Sequence, residues 1–237
     1  MSTPLSNKTL VILQPLFLPW LGMFDMMARS DLFVILNNVQ FSRQSWQQRN
    51  RIKTPSGVKW LTVPVKHNFG TKIINVEIDY STNWPEKHLK TISQSYRHTP
   101  FFGEIYNIVE KVYSEKPTYL IQLSIGLIKA VRGYLGISTP LEMASDVSIA
   151  NHGGKSYVLD LCKYYGATTY LNGPAGKTLY SPEEFRQNGI KLIFHEYLHP
   201  IYPQLHGDFV SHLSVIDTLF NCGPGSIKFV SGNNEKI

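Results

Sequence analysis

Two short aliphatic runs, Thr9–Leu13 and Asp31–Leu36, constrain this chain most. Each is apolar at nearly every position instead of at alternate ones, the pattern of a strand covered on both faces in a parallel sheet. Between them stands Gln14-Pro-Leu-Phe-Leu-Pro-Trp-Leu-Gly-Met-Phe24, a loop with two prolines and a glycine that leads into a helix near Trp20–Arg29. Strand, helix and strand in fewer than 30 residues make a βαβ unit, for which a right-handed crossover is expected. Ligands of such sheets bind where strands end and helices begin. That places Gln14 and Trp20 in a candidate binding loop.

The alternation continues. Val58–Val65 and Lys72–Ile78 read as further strands, with Pro64 favouring a strand end or an edge. Asn83-Trp-Pro-Glu86 opens a helix to about Arg97, and helices near Gly103–Ser114 and Pro117–Leu135 follow. Strands are expected at Pro140–Ala144, Ala167–Leu171 and Ile190–Phe194. A helix ending at Tyr165–Gly166 precedes the second of these, and one opened by Ser181-Pro-Glu-Glu184 and closed by Gly189 precedes the third. A short helix lies near Ser214–Phe220. The pattern predicts an α/β fold, Rossmann-like, with a mostly parallel sheet, flanking helices and a helical insertion at about 83–135 in a single domain over residues 1–237. An apolar share of 43% supports a sizeable core. Cys162 and Cys222 show no ligand spacing and read as buried thiols in a reducing compartment. Met1–Lys8 has no signal-peptide design, and the most apolar helix is broken by Gln122, Lys129 and Arg132. The expectation is a cytoplasmic protein with no membrane span.

Charge singles out Leu32–Val76. These 45 residues contain no Asp or Glu but hold Arg43, Arg49, Arg51, Lys53, Lys59, Lys66 and Lys72, which account for the +6 net charge. A one-sided segment of this kind calls for an anion. Its core, Gln40 to Lys53, mixes guanidinium forks, amides and aromatics, a set suited to phosphate or carboxylate. Gln40, Arg49, Asn50, Arg51 and Lys53 are the candidate contacts, against the plain alternative of a solvated basic face. Two glycine loops stand beside it as candidates. Asn151-His-Gly-Gly-Lys-Ser156 resembles the tail of a phosphate loop but has Ile149 where the first glycine belongs, so the pattern fails. Asn172-Gly-Pro-Ala-Gly176 follows a strand, and Asn172, Gly173 and Gly176 would let backbone approach a ligand through positive φ. Histidines are scattered, no metal-binding motif is complete and no nucleophile elbow exists, so metal and covalent chemistry are disfavoured.

The order of Gln14–Phe24, Val39-Gln-Phe-Ser with Gln48–Lys53, Trp60–Val65, Tyr170–Gly176, His199-Pro-Ile-Tyr-Pro-Gln204 and Leu213–Asp217 with Phe220–Pro224 resembles the WbqC-like protein family. The family often has His before the first Gln-Pro and Asp-Asp before Val-Gln; here Leu13 and Asn37-Asn38 stand there. The resemblance implies a place in surface-polysaccharide or O-antigen synthesis. It also implies a transferase moving glycine, an aminoacyl or an acyl group onto a nucleotide-linked amino sugar. The partners would be a phosphate-bearing small molecule, a nucleotide-sugar or an activated acyl donor, with aminoacyl-tRNA as a further donor. Tyr202 and Gln204 join the binding candidates. His199 and His206 are candidate bases with Asp217 to orient one, although Asp217 also reads as a helix-start residue. A fainter likeness links the opening to the HIGH-motif nucleotidyltransferases, but Trp20-Leu-Gly22 lacks their histidines. A third reading is a non-catalytic nucleotide- or RNA-binding module using Trp46 and Trp60.

Overall fold

The computed structural model describes residues 7–151 and 153–230; His152, within the first glycine loop, lies outside them. Along the chain come β1 (Thr9–Leu13), α1 (Leu21–Ala28), β2 (Leu32–Ile35), β3 (Arg49–Thr54), β4 (Gly57–Thr62), β5 (Val65–Lys66) and β6 (Glu77–Ile78). Helices α2 (Trp84–Tyr96), α3 (Phe102–Ser114) and α4 (Leu120–Tyr134) precede β7 (Leu141–Met143), α5 (Gly154–Tyr164) and β8 (Thr169–Asn172). The chain continues through α6 (Pro182–Arg186), β9 (Lys191–Phe194), α7 (Val215–Cys222) and α8 (Ile227–Val230).

Five strands form one all-parallel sheet in the order β7-β2-β1-β8-β9, giving the Rossmann-like α/β architecture. The unbroken apolar runs have their reason here. Val11, Phe33, Ile35 and Leu171 point into the core shared with α1, α4 and α7, while Leu10, Ile12, Leu32, Val34 and Tyr170 point into the core under α5 and α6. Both faces are covered, so neither parity of position can be polar. From β1 the chain steps out to β2 and β7, then returns to β8 on the other side of β1. The direction of winding reverses between β1 and β8, and the loops after these two strands lie where such sheets bind ligands.

The basic segment departs from the expected strand pattern. The end of its core, from Arg49, is itself a strand, β3, paired antiparallel with β4 in a hairpin separate from the main sheet. The Lys72–Ile78 strand shrinks to one turn of 3-10 helix at Ile73–Asn75 plus the two-residue β6, paired with β5. Asn83-Trp-Pro-Glu86, Gly166 and Gly189 start and stop their helices as read; Gly166 and Gly189 have φ of +63° and +73°. Ser181 occupies its cap position without a side-chain bond to the helix, and Glu183 is engaged by Arg186. Cys162 and Cys222 are free thiols whose pKa values burial pushes up to about 12 and about 11. Among the described residues no helix is long and apolar enough to cross a membrane.

Candidate functional site

In an antiparallel pair, directly opposed residues share a face. The register sets Arg51 opposite Trp60, Arg49 opposite Thr62 and Lys53 opposite Val58, while Asn50 faces Leu61 and Ile52 faces Lys59. Ile52 and Leu61 are buried, so the second set seats the hairpin on the core and the first faces outward. Trp46, from the loop before β3, closes over this outer face with its ring 5.2 Å from that of Trp60. The Arg49 guanidinium lies 4.4 Å over Trp60, and that of Arg51 lies 5.6 Å from Trp46 and 5.8 Å from Trp60. Both indoles remain almost half exposed, at 44% and 45%. The result is an interleaved ladder of cation and indole, with the Nε atoms of both arginines lacking a hydrogen-bond partner.

The loop after β1 is bound to this ladder. Phe17 N donates to Trp46 C=O at 3.0 Å, and Gln47 Nε2 donates to Gln14 Oε1 at 2.7 Å. Asn50 Nδ2 donates to the carbonyl of Leu18 at 2.6 Å and holds that residue at a φ of +44°. At the head of α1 the Trp20 indole folds back onto Gly22, where any Cβ would lie 2.1 Å from its ring. Trp20 meets Tyr197 edge-on at 5.1 Å and stacks on His212 at 5.6 Å. Leu16, Trp20, Trp46, Asn50 and His212 enclose a cavity of about 200 Å³ beside the ladder.

His212 has a left-handed φ of +56°, with its carbonyl held by Arg51 Nη2 at 3.2 Å and its Nδ1 2.9 Å from Ser211 Oγ. Its ring is 4.9 Å from His199. Burial lowers the pKa of both, reinforced at His212 by the Arg51 charge and at His199 by His212. His199 Nδ1 lies 3.0 Å from the Pro200 carbonyl and must carry the proton there, which leaves a bare lone pair on Nε2, an atom with no partner.

The other candidate residues separate from this cavity. Lys53 is 3% exposed, and its ammonium donates to Gln204 Oε1 at 3.2 Å and to the carbonyls of Gly207 and Asp208 at 3.1 and 2.5 Å. Asp217 accepts from Tyr96 at 2.7 Å and Tyr202 at 2.9 Å; burial raises its pKa against the opposing pull of those hydroxyls and of Lys53. Gln204 also donates to Tyr202 and to the Val210 carbonyl, and His206 Nε2 lies 2.7 Å from the Ser95 carbonyl. Lys53, Tyr202, Gln204, His206 and Asp217 therefore do converge, in a satisfied network that ties β3 to α2 and α7. Gln40 is exposed and bridged to Lys72, away from the cavity lining.

At the end of β8, Asn172 is buried with Nδ2 unpartnered. Neither Gly173 nor Gly176 adopts positive φ, contrary to the reading of that loop. Gly176 is needed for space, since a Cβ there would lie 1.8 Å from Asn172 Nδ2. A further buried group went unread: His195 Nε2 lies 2.6 Å from Asp25 Oδ2, and Asp25 Oδ1 accepts from Arg29 Nε at 2.6 Å. Leu16 and His212 are likewise absent from the sequence candidates, and Trp46 stands there only in the RNA-binding reading. The spacing Trp46…Arg49…Arg51…Trp60 becomes informative only once β3 is read as a strand; nothing local marks His212.

Residues 14–229 match the WbqC-like protein family. The chain belongs to the WbqC-like protein family. A relative in Mycobacterium tuberculosis (strain ATCC 25618 / H37Rv), the uncharacterized protein Rv1507c, is 35% identical over 220 residues, covering 91% of this chain and 94% of its own length. No solved structure matches. The family match spans the ladder, the cavity and the β8 loop of this WbqC-like protein together.

Proposed function

We propose that this WbqC-like protein is a transferase that modifies a nucleotide-linked amino sugar for a bacterial surface polysaccharide, by glycine, aminoacyl or acyl transfer. The observation that carries the reading is the Arg49–Trp60–Arg51–Trp46 ladder bordering an indole- and histidine-walled cavity next to the switch point of the sheet. Guanidinium forks bind diphosphate oxygens in pairs, and the Trp20 and Trp46 faces cover a planar base or the apolar face of a sugar. Amide formation joins a neutral amine to the acyl carbon, breaks that carbon's bond to the donor's thiol or alcohol, which departs, and releases a proton from the nitrogen. His212 on the cavity wall, with His199 behind it, is the proton acceptor in this scheme. Both imidazoles are held below their ordinary pKa and so keep a lone pair at neutral pH.

Thermal unfolding with nucleoside-diphosphate amino sugars, CoA and ATP tests this reading. A nucleotide-sugar at about 100 times its dissociation constant stabilises the protein by about 2.7 kcal/mol. Arg49→Ala abolishes the shift and leaves the ligand-free midpoint within a degree or two. A shift with ATP alone, accompanied by pyrophosphate exchange, would replace the proposal with nucleotidyl transfer.

A further inference from the structure

We propose that the outward face of the β3–β4 hairpin binds single-stranded RNA, with bases stacked on Trp46 and Trp60 and phosphates held by the basic side chains around them. This goes beyond the cavity reading and does not require the transfer reaction. The cavity reading concerns a pocket of about 200 Å³, yet the basic surface extends past it. Arg43 and Lys72 are exposed, and with Arg49 and Arg51 they make no ion pair with a carboxylate among the described residues. The acid-free stretch from Leu32 to Val76 leaves no internal countercharge within the segment, so a polyanion is its electrostatic complement.

The aromatic component selects among polyanions. Two indoles side by side, each almost half exposed and backed by a guanidinium, form a surface on which unpaired bases stack whatever their sequence. A duplex keeps its base faces inside its own stack and offers them nothing. Gln40, Ser42 and Gln44 are exposed along the preceding loop and supply donors and acceptors for 2′-hydroxyls, which favours RNA over DNA. The ladder stands on a rigid base: Ile52 and Leu61 anchor the inner face, and Ser214 N donates to Arg51 C=O at 2.9 Å.

Fluorescence anisotropy with a labelled 12-nucleotide single-stranded RNA of mixed sequence tests the proposal at 50, 100 and 200 mM salt. Saturable binding that weakens steadily with salt is expected. Trp60→Ala should weaken it by roughly 5- to 100-fold, the range for loss of one stacked base, while Trp60→Phe retains most of it. DNA of the same sequence should bind more weakly, and the RNA duplex more weakly still. Trp60 backs Arg49, so Trp60→Ala is read on RNA binding alone; Trp20 lines the cavity and stands off the ladder, so Trp20→Ala should remove any nucleotide-sugar thermal shift and spare RNA binding. This pair of variants separates failure of one reading from failure of the other. No RNA binding at 50 mM salt would overturn the proposal. So would equal binding of duplex, heparin or polyglutamate with no effect of Trp60→Ala, since the face would then attract polyanions by charge alone.

Discussion

Single side chains carry consequences that their neighbours in sequence do not announce. His88 is buried in α2, with Nδ1 3.2 Å from Tyr113 Oη. Burial lowers its pKa from 6.5 to about 4, only partly offset by its hydrogen bond to the Thr62 backbone. The unfolded chain therefore takes up this proton first as the pH falls. The His88 contribution is fully present above pH 6.5 and is lost progressively toward pH 4, by about 3 kcal/mol in all. Urea unfolding at pH 7, 5.5 and 4.5 should show the decline, and His88→Gln should flatten it; an equal slope in the variant would remove His88 as its source. Gly22 is a second case. Its missing Cβ lets the Trp20 ring lie against the first turn of α1. Gly22→Ala should destabilise by about 1–3 kcal/mol through overpacking and, by displacing a cavity wall, weaken nucleotide-sugar binding. Urea titration followed by tryptophan emission measures both the cost and the displacement.

At the scale of elements, the hairpin decides the site. Arg49, Arg51 and Lys53 share one face of β3 but take two roles: the arginines lie on indoles, whereas Lys53, one step further, is covered by the segment from Gln204 to Asp208. A buried ammonium and the buried Asp217 carboxylate are tolerable together because hydroxyls, an amide and carbonyls satisfy them. Lys53→Met should cost about 3 kcal/mol by leaving Asp217 uncompensated. Lys53→Met combined with Asp217→Asn should lose less than the sum of the single changes. Additive losses in urea midpoints would mean the two groups do not interact. The same pairing explains why β3 went unread as a strand. Arg-Asn-Arg-Ile-Lys-Thr has a single aliphatic residue, and its extended form is stabilised by partners across the hairpin, beyond the reach of a local pattern.

Across the whole molecule, the main sheet was legible because its signals are local. An aliphatic run covered on both faces can be recognised in five residues, as Thr9–Leu13 shows, and Gly166 and Gly189 mark helix ends through their own backbone conformation. The placement of the Gln14–Gly22 and Asn172–Gly176 loops at one sheet edge followed from the parallel pattern. The strand order, with its reversal between β1 and β8, did not. The site lies still further from local signals. His212 reaches Trp20 and Arg51 across most of the chain, and Asp25 meets His195 over 170 positions. The sequence by itself determined the α/β class, the helix and strand boundaries set by apolar period and glycine, the family, and the concentration of positive charge in one acid-free segment. Only the tertiary structure decided which cations face outward onto indoles and which are buried against carbonyls, because that choice depends on which distant segment comes to cover each side chain.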